Sequence, residues 1–97
     1  MTPSTPIKWH VPHHAGLRWR FWGDEVIVFH PPSGDTHILH PLAADLLQYL
    51  SRQAADLQQI AAYLASEDDP GPSLELLSKL LADFDQLGLI EPSHEAA

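Results

Sequence analysis

The chain has no cysteine, which excludes disulfides, thiolate zinc sites and a cysteine nucleophile and fits a reducing cytoplasm. Cations are scarce: five Lys and Arg stand against 13 Asp and Glu, for a formal net charge of −8. Nucleic-acid binding through phosphates draws on clustered Lys and Arg, so it is not expected here, nor is attachment to an anionic membrane surface. No apolar run approaches the roughly 18–20 residues that a membrane span requires. The Pro- and His-rich start lacks the apolar h-region of a secretory signal, so a cytoplasmic location is expected. Glycine is limited to five residues and forms no phosphate-cradling loop.

What is present suffices for one small α+β domain. Hydrophobic residues make up 44% of the 97 positions, enough for a modest core in a chain of this length. Residues 1–16 (MTPSTPIKWHVPHHAG) show no periodicity and are expected to form a loosely held, flexible N-terminal arm, with Trp9 and Val11 as its only large apolar anchors. The domain proper is expected over 17–92, with a polar tail after it at 93–97.

From Leu17 to His40 the pattern is that of strands. Leu17, Trp19 and Phe21 alternate with Arg18, Arg20 and Trp22, the period of a half-buried strand. Gly23-Asp24 makes a turn, and Glu25–His30 (EVIVFH) is rich in β-branched and aromatic residues. Pro31-Pro32-Ser33-Gly34-Asp35 cannot continue a central strand, because each proline removes a ladder donor, but it can make a hairpin loop. Thr36–Leu39 returns as a third strand. The expected sheet is a three-stranded antiparallel meander.

Three helices follow. Pro41 suits the first helical position, and Leu42, Leu46 and Leu50 repeat every four residues, with Ala43 and Leu47 beside them. Asp56 with Gln59 resembles a capping box ahead of the Leu57, Ile60, Ala61, Leu64 stripe. Glu67–Pro72 (EDDPGP) breaks the chain. Ser73 then caps a third helix that stops near Gly88. Leu89 and Ile90 are expected to tuck against the core. Three strands followed by three helices, none stable alone, predict a winged-helix-like body in which sheet and helices cover each other.

The third helix is wider than its core duty. At about 100° per residue, Leu76, Leu87, Leu80, Phe84, Leu77, Leu81 and Leu74 spread over roughly 160°, against the ~100° stripe that a core-facing helix needs. Either every leucine is used inside, or one margin (Leu76, Leu80 and Leu87, next to Lys79 and Asp83) lines a shallow groove. The short third strand, if it lies at the sheet edge, would leave backbone groups open to an added strand. Edge and leucines together describe a peptide clamp.

The chemistry-bearing residues support little else. Seven histidines (10, 13, 14, 30, 37, 40 and 94) include His10-x-x-His13-His14, but there is no HExxH and the cluster falls in the arm, so no metal site is expected. His37 and His40 would point to opposite faces of an ideal strand. Ser33, Asp35 and His37 are near in sequence, yet a triad needs a spatial arrangement with an oxyanion hole. Asp68-Asp69 sits in a solvated turn with nothing to raise a pKa. Glu75, Lys79, Asp83 and Asp85 make the last helix net acidic, against a DNA-reading role. No catalytic residue and no cofactor is expected.

The stretch from Trp19 to Ile90 resembles the PqqD family of small peptide chaperones. The similarity is carried by the strand pair, the run Ser33-Gly34-Asp35-Thr36-His37-Ile38-Leu39, the helical segment Leu42 to Leu50, the Ile60 helix and the closing Leu87-Gly88-Leu89-Ile90. The SGDTHIL run looks most like the branch found beside an HPr-kinase-related protein in bacteria. The resemblance implies a winged-helix-like precursor-peptide recognition element, a non-enzymatic adaptor that binds the leader of a ribosomally made peptide and presents it to a modifying enzyme. It implies a leader strand along Thr36, His37, Ile38 and Leu39, with Leu76, Leu80, Asp83, Phe84 and Leu87 opposite. Expected partners are therefore a leader peptide and a modifying enzyme or HPr-kinase-related protein. A regulatory interaction module, or a homodimer through the open edge, is the alternative.

Overall fold

The computed structural model describes residues 7–93. In chain order the elements are β1 (Lys8–His10), a 3-10 turn (His13–Ala15), β2 (Arg18–Trp22), β3 (Glu25–His30), β4 (Asp35–Leu39), α1 (Pro41–Arg52), α2 (Leu57–Leu64), α3 (Leu74–Gln86) and β5 (Glu91–Ser93). The result is a small α+β domain with two antiparallel sheets and three helices.

The meander forms as expected, in the order β2-β3-β4. Its register places Trp19, Val28 and His37 in one cross-strand row and Phe21, Val26 and Leu39 in the next. These rows face the body, where Val26, Val28 and Leu39 are buried and α1 packs on both β3 and β4. Phe21 departs from the expected half-buried pattern. It belongs to the inner face by register, yet 64% of it is exposed, because it sits on the outer strand β2 while α1 packs on β3 and β4 and buries its row neighbours Val26 and Leu39. The β3–β4 loop closes on the His30 carbonyl, which accepts from both Ser33 and Gly34 backbone N–H groups. Gly34 sits there at φ +76°, a conformation that a side chain disfavours.

The helices start and stop where the sequence places them, with one new detail. Pro41 is the first residue of α1, but the cap is His40, whose Nδ1 accepts from the Leu42 N–H at 3.3 Å. Asp56 and Gln59 make the reciprocal capping box of α2 at 2.8 and 2.9 Å, and Ser73 caps α3 through the Leu76 N–H. Leu46, Leu47 and Leu50 of α1, Ile60 of α2 and Leu77, Leu81 and Phe84 of α3 form the core with the sheet. Each side chain of this size contributes about 1.5–3 kcal/mol on full burial. Leu89 and Ile90 are buried behind α3. Tyr49 and Tyr63 stack at 4.1 Å between ring centres and tie α1 to α2 at the far corner.

Two expectations about the chain ends are corrected. From Lys8 onward the arm is part of the body: β1 pairs with β5 in the register Lys8↔Ser93, Trp9↔Pro92, His10↔Glu91. On its other side the Trp9 N–H donates to the Ala55 carbonyl at 2.8 Å and Ala55 N–H returns the bond at 3.0 Å, while Val11 N–H donates to Leu50. Val11 and Ala15 are buried. The same pairing takes Ser93, the first residue of the expected tail, into the strand Glu91–Ser93. The physical reason is that the loop between α1 and α2 leaves the backbone groups of Ala55 unpaired, and a segment with two apolar anchors satisfies them. Residues 1–6 of the expected arm and 94–97 of the expected tail lie outside the described residues.

Candidate functional site

β4 is an edge. Its one neighbour in the sheet is β3, and among the described residues no backbone group of Thr36–Leu39 bonds outside that ladder. Folded proteins guard such edges with Lys, Pro or bulges. β4 has neither residue, and its pairing with β3 runs without interruption from Asp35 to Leu39. The opposite edge, β2, carries Arg18 and Arg20. The less guarded edge is therefore β4.

Side chains along β4 alternate. Leu39 is buried and His37 half-buried on the inner face, whereas Thr36 and Ile38 point outward, Ile38 with 67% of its surface exposed. His37 has a further peculiarity: its Nε2 is buried without a hydrogen-bond partner. A strand added beside β4 would continue both rows, placing alternate side chains next to His37 and Leu39 inside and next to Thr36 and Ile38 outside.

The α3 residues of the expected clamp divide between core and surface. Phe84 is buried; Leu80 is half-buried; Asp83, Leu76 and Leu87 are exposed, the two leucines at 41% and 48%. The stripe is thus wider than its packing uses, and Leu74 is exposed on the opposite margin as well. α3 packs principally on α2, and β4 on β3 and α1. The recess beside Ile38 and Leu39, of about 460 Å³, is completed by Asp24, Glu25, His40 and Pro41. Leu76, Leu80, Asp83 and Leu87 do not line it. Both halves of the expected site are available at the surface, the edge at β4 and the exposed leucines on α3.

The histidines have local duties. His10 Nε2 donates to Glu91 Oε1 at 2.9 Å across the β1–β5 pair, and His40 caps α1. His30, on the inner face of β3, is buried, and its Nδ1 lies 2.7 Å from Ser33 Oγ. With the proton on Nδ1, the Ser33 hydroxyl accepts from the ring and from the Asp35 N–H (3.2 Å) and donates to the His30 carbonyl (3.3 Å). All of its capacity is then used to set the hairpin loop. Ser33, Asp35 and His37 do not form a relay, because Ser33 bonds to His30 and His37 Nε2 bonds to nothing. Among the described residues no three His, Asp or Glu side chains are grouped to hold a metal ion; His94 and the side chain of His14 lie outside that description. Nor is any helix long and apolar enough to cross a membrane.

Sequence reasoning missed two contributors to this region: His40 as a cap at the end of β4, and His30 as the buried anchor of the loop before it. The second was legible, since His30 continues the inward Val26, Val28 alternation. Comparison with family models, curated proteins and solved structures finds no match to this chain.

Proposed function

We propose that this chain is a non-enzymatic peptide-binding adaptor of winged-helix-like architecture. It takes up an extended segment of another polypeptide as a fourth strand beside β4 and holds it for a modifying enzyme. The observation that carries this reading is the unguarded outer edge of Thr36–Leu39. Backbone pairing there supplies affinity and register, and the alternating environment of Leu39 and Ile38 supplies side-chain preference. The exposed leucine margin of α3 is the second contact surface of this reading, reached by the part of the guest that extends past the strand. The resemblance of the SGDTHIL run to peptide chaperones supports a leader peptide as the guest. A modifying enzyme or an HPr-kinase-related protein is its recipient. The same edge favours one alternative, a homodimer in which β4 pairs with β4 of a second copy.

Proline scanning of the edge tests the reading. Neighbouring residues of an edge strand donate alternately into the ladder and outward. Of His37→Pro and Ile38→Pro, therefore, one removes a β3 ladder bond and one removes only an outward donor. The variant that keeps its circular dichroism spectrum is the informative one. It should lose binding to synthetic segments of the short open reading frames flanking the gene, with sedimentation velocity reporting the homodimer in parallel. Undiminished binding by that variant would overturn strand addition.

A further inference from the structure

The outer face of the meander joins apolar side chains with unpaired cations. The register aligns Arg18, Phe29 and Thr36 in one row, Arg20, Ile27 and Ile38 in the next, and Trp22 with Glu25 at the hairpin end. The solvent face of an antiparallel sheet is normally polar. Here Trp22 is 70% exposed and Ile38 nearly as much, with Ile27 and Phe29 half-buried between the strands. Exposed apolar groups gathered on one face and edged by polar ones mark an interaction surface.

Its charge is also reversed. The whole chain stands at −8, whereas this face holds two of the five cations and a single carboxylate, Glu25. Among the described residues neither Arg18 nor Arg20 has an ion-pair partner, since the one such pair is His10 with Glu91. A recess of about 460 Å³ opens between the arginine stems and Ile27, Phe29 and Thr36, room for one bulky apolar side chain.

We propose that this face docks an acidic amphipathic helix of a partner protein. Two residues apart on one strand, the arginines stand about 7 Å from each other, close to the spacing of carboxylates one turn apart on a helix. A helix laid on a sheet face is the usual way to cover one. The helix sets an apolar side chain into the recess and two carboxylates on the guanidinium groups, which suit planar bidentate pairing. Strand addition uses the backbone edge of β4 and the side chains beside it, Ile38 among them; helix docking centres on Arg18, Arg20, Ile27 and Phe29 of β2 and β3. The chain can hold a guest and a partner at once.

The test uses the full chain and two synthetic 18-residue helical peptides with identical leucine stripes, one flanked by Glu and one by Lys. In amide-resolved NMR the Glu peptide should perturb Arg18–Trp22, Ile27, Phe29 and Ile38, and by fluorescence anisotropy it should bind about tenfold tighter than the Lys peptide, a difference of about 1.4 kcal/mol. The double variant R18E/R20E, at exposed positions, should invert that preference. Equal binding of both peptides, no binding of either, or shifts confined to α3 would overturn the proposal. So would sedimentation showing a second copy on this face that R18E/R20E releases. Capture of leader segments at the β4 edge is read separately, and R18E/R20E should leave it intact, which distinguishes failure here from failure of the adaptor reading.

Discussion

Replacing His37 with leucine should make the protein more stable, although it alters the centre of the candidate site. The Nε2 of His37 is buried and unpartnered, and a buried polar group without a hydrogen bond costs roughly 1–3 kcal/mol. Because the ring as a whole is only half-buried, the lower end applies, about 1 kcal/mol. Leucine is of similar size, removes the orphaned nitrogen and adds apolar contact to Val28, its cross-strand partner. In a domain of this length 1 kcal/mol moves Tm by about 4–8 °C, so His37→Leu should melt that much higher. The urea midpoint should rise with an unchanged m-value. The neighbouring loop supplies a control of opposite sign. Ser33→Ala strips the buried His30 ring of its 2.7 Å partner and should destabilise by about 1–2 kcal/mol. If His37→Leu melts lower than the parent chain, the nitrogen is not a liability and the reasoning fails.

Other outcomes follow from the same geometry. Asp56→Ala removes the acceptor of the α2 capping box and should cost about 1 kcal/mol by urea titration. Gly71→Ala should cost more than Gly34→Ala. Both hold positive φ, but a Cβ at 71 would lie 3.2 Å from the Leu64 carbonyl oxygen, while position 34 is open; thermal melts rank the two. Glu91→Gln, which weakens an exposed pair with His10, should change stability by less than about 1 kcal/mol.

Local chemistry made most of the fold legible. The Val26, Val28, His30 alternation, the Asp56/Gln59 pair, Ser73 and the leucine spacing of α1 each act over a few residues, and each appears where its pattern places it. β1 and β5 did not show in the sequence because three residues are too few for a period, and because their partners lie some eighty positions apart. Phe21 reads as half-buried by alternation, yet β2 is the outer strand and α1 packs on β3 and β4, a matter of where the helix lies rather than of pattern. For the candidate site, the edge position of β4 and the surplus leucines of α3 were readable, since each depends on one element. How they sit relative to one another was not, because that depends on the packing of α3 on α2, and no periodicity encodes packing.

The pairing of Lys8 with Ser93 brings the two ends of the described chain side by side, in neighbouring strands about 5 Å apart. Whatever is fused ahead of one and behind the other emerges from the same spot, so paired fluorophores or split-reporter halves placed there would sit together when the domain is folded and separate when it melts. New ends opened in the exposed Glu67–Pro70 stretch, with the old ones bridged by a short linker, would keep every strand and helix whole while turning β5 and β1 into a single hairpin.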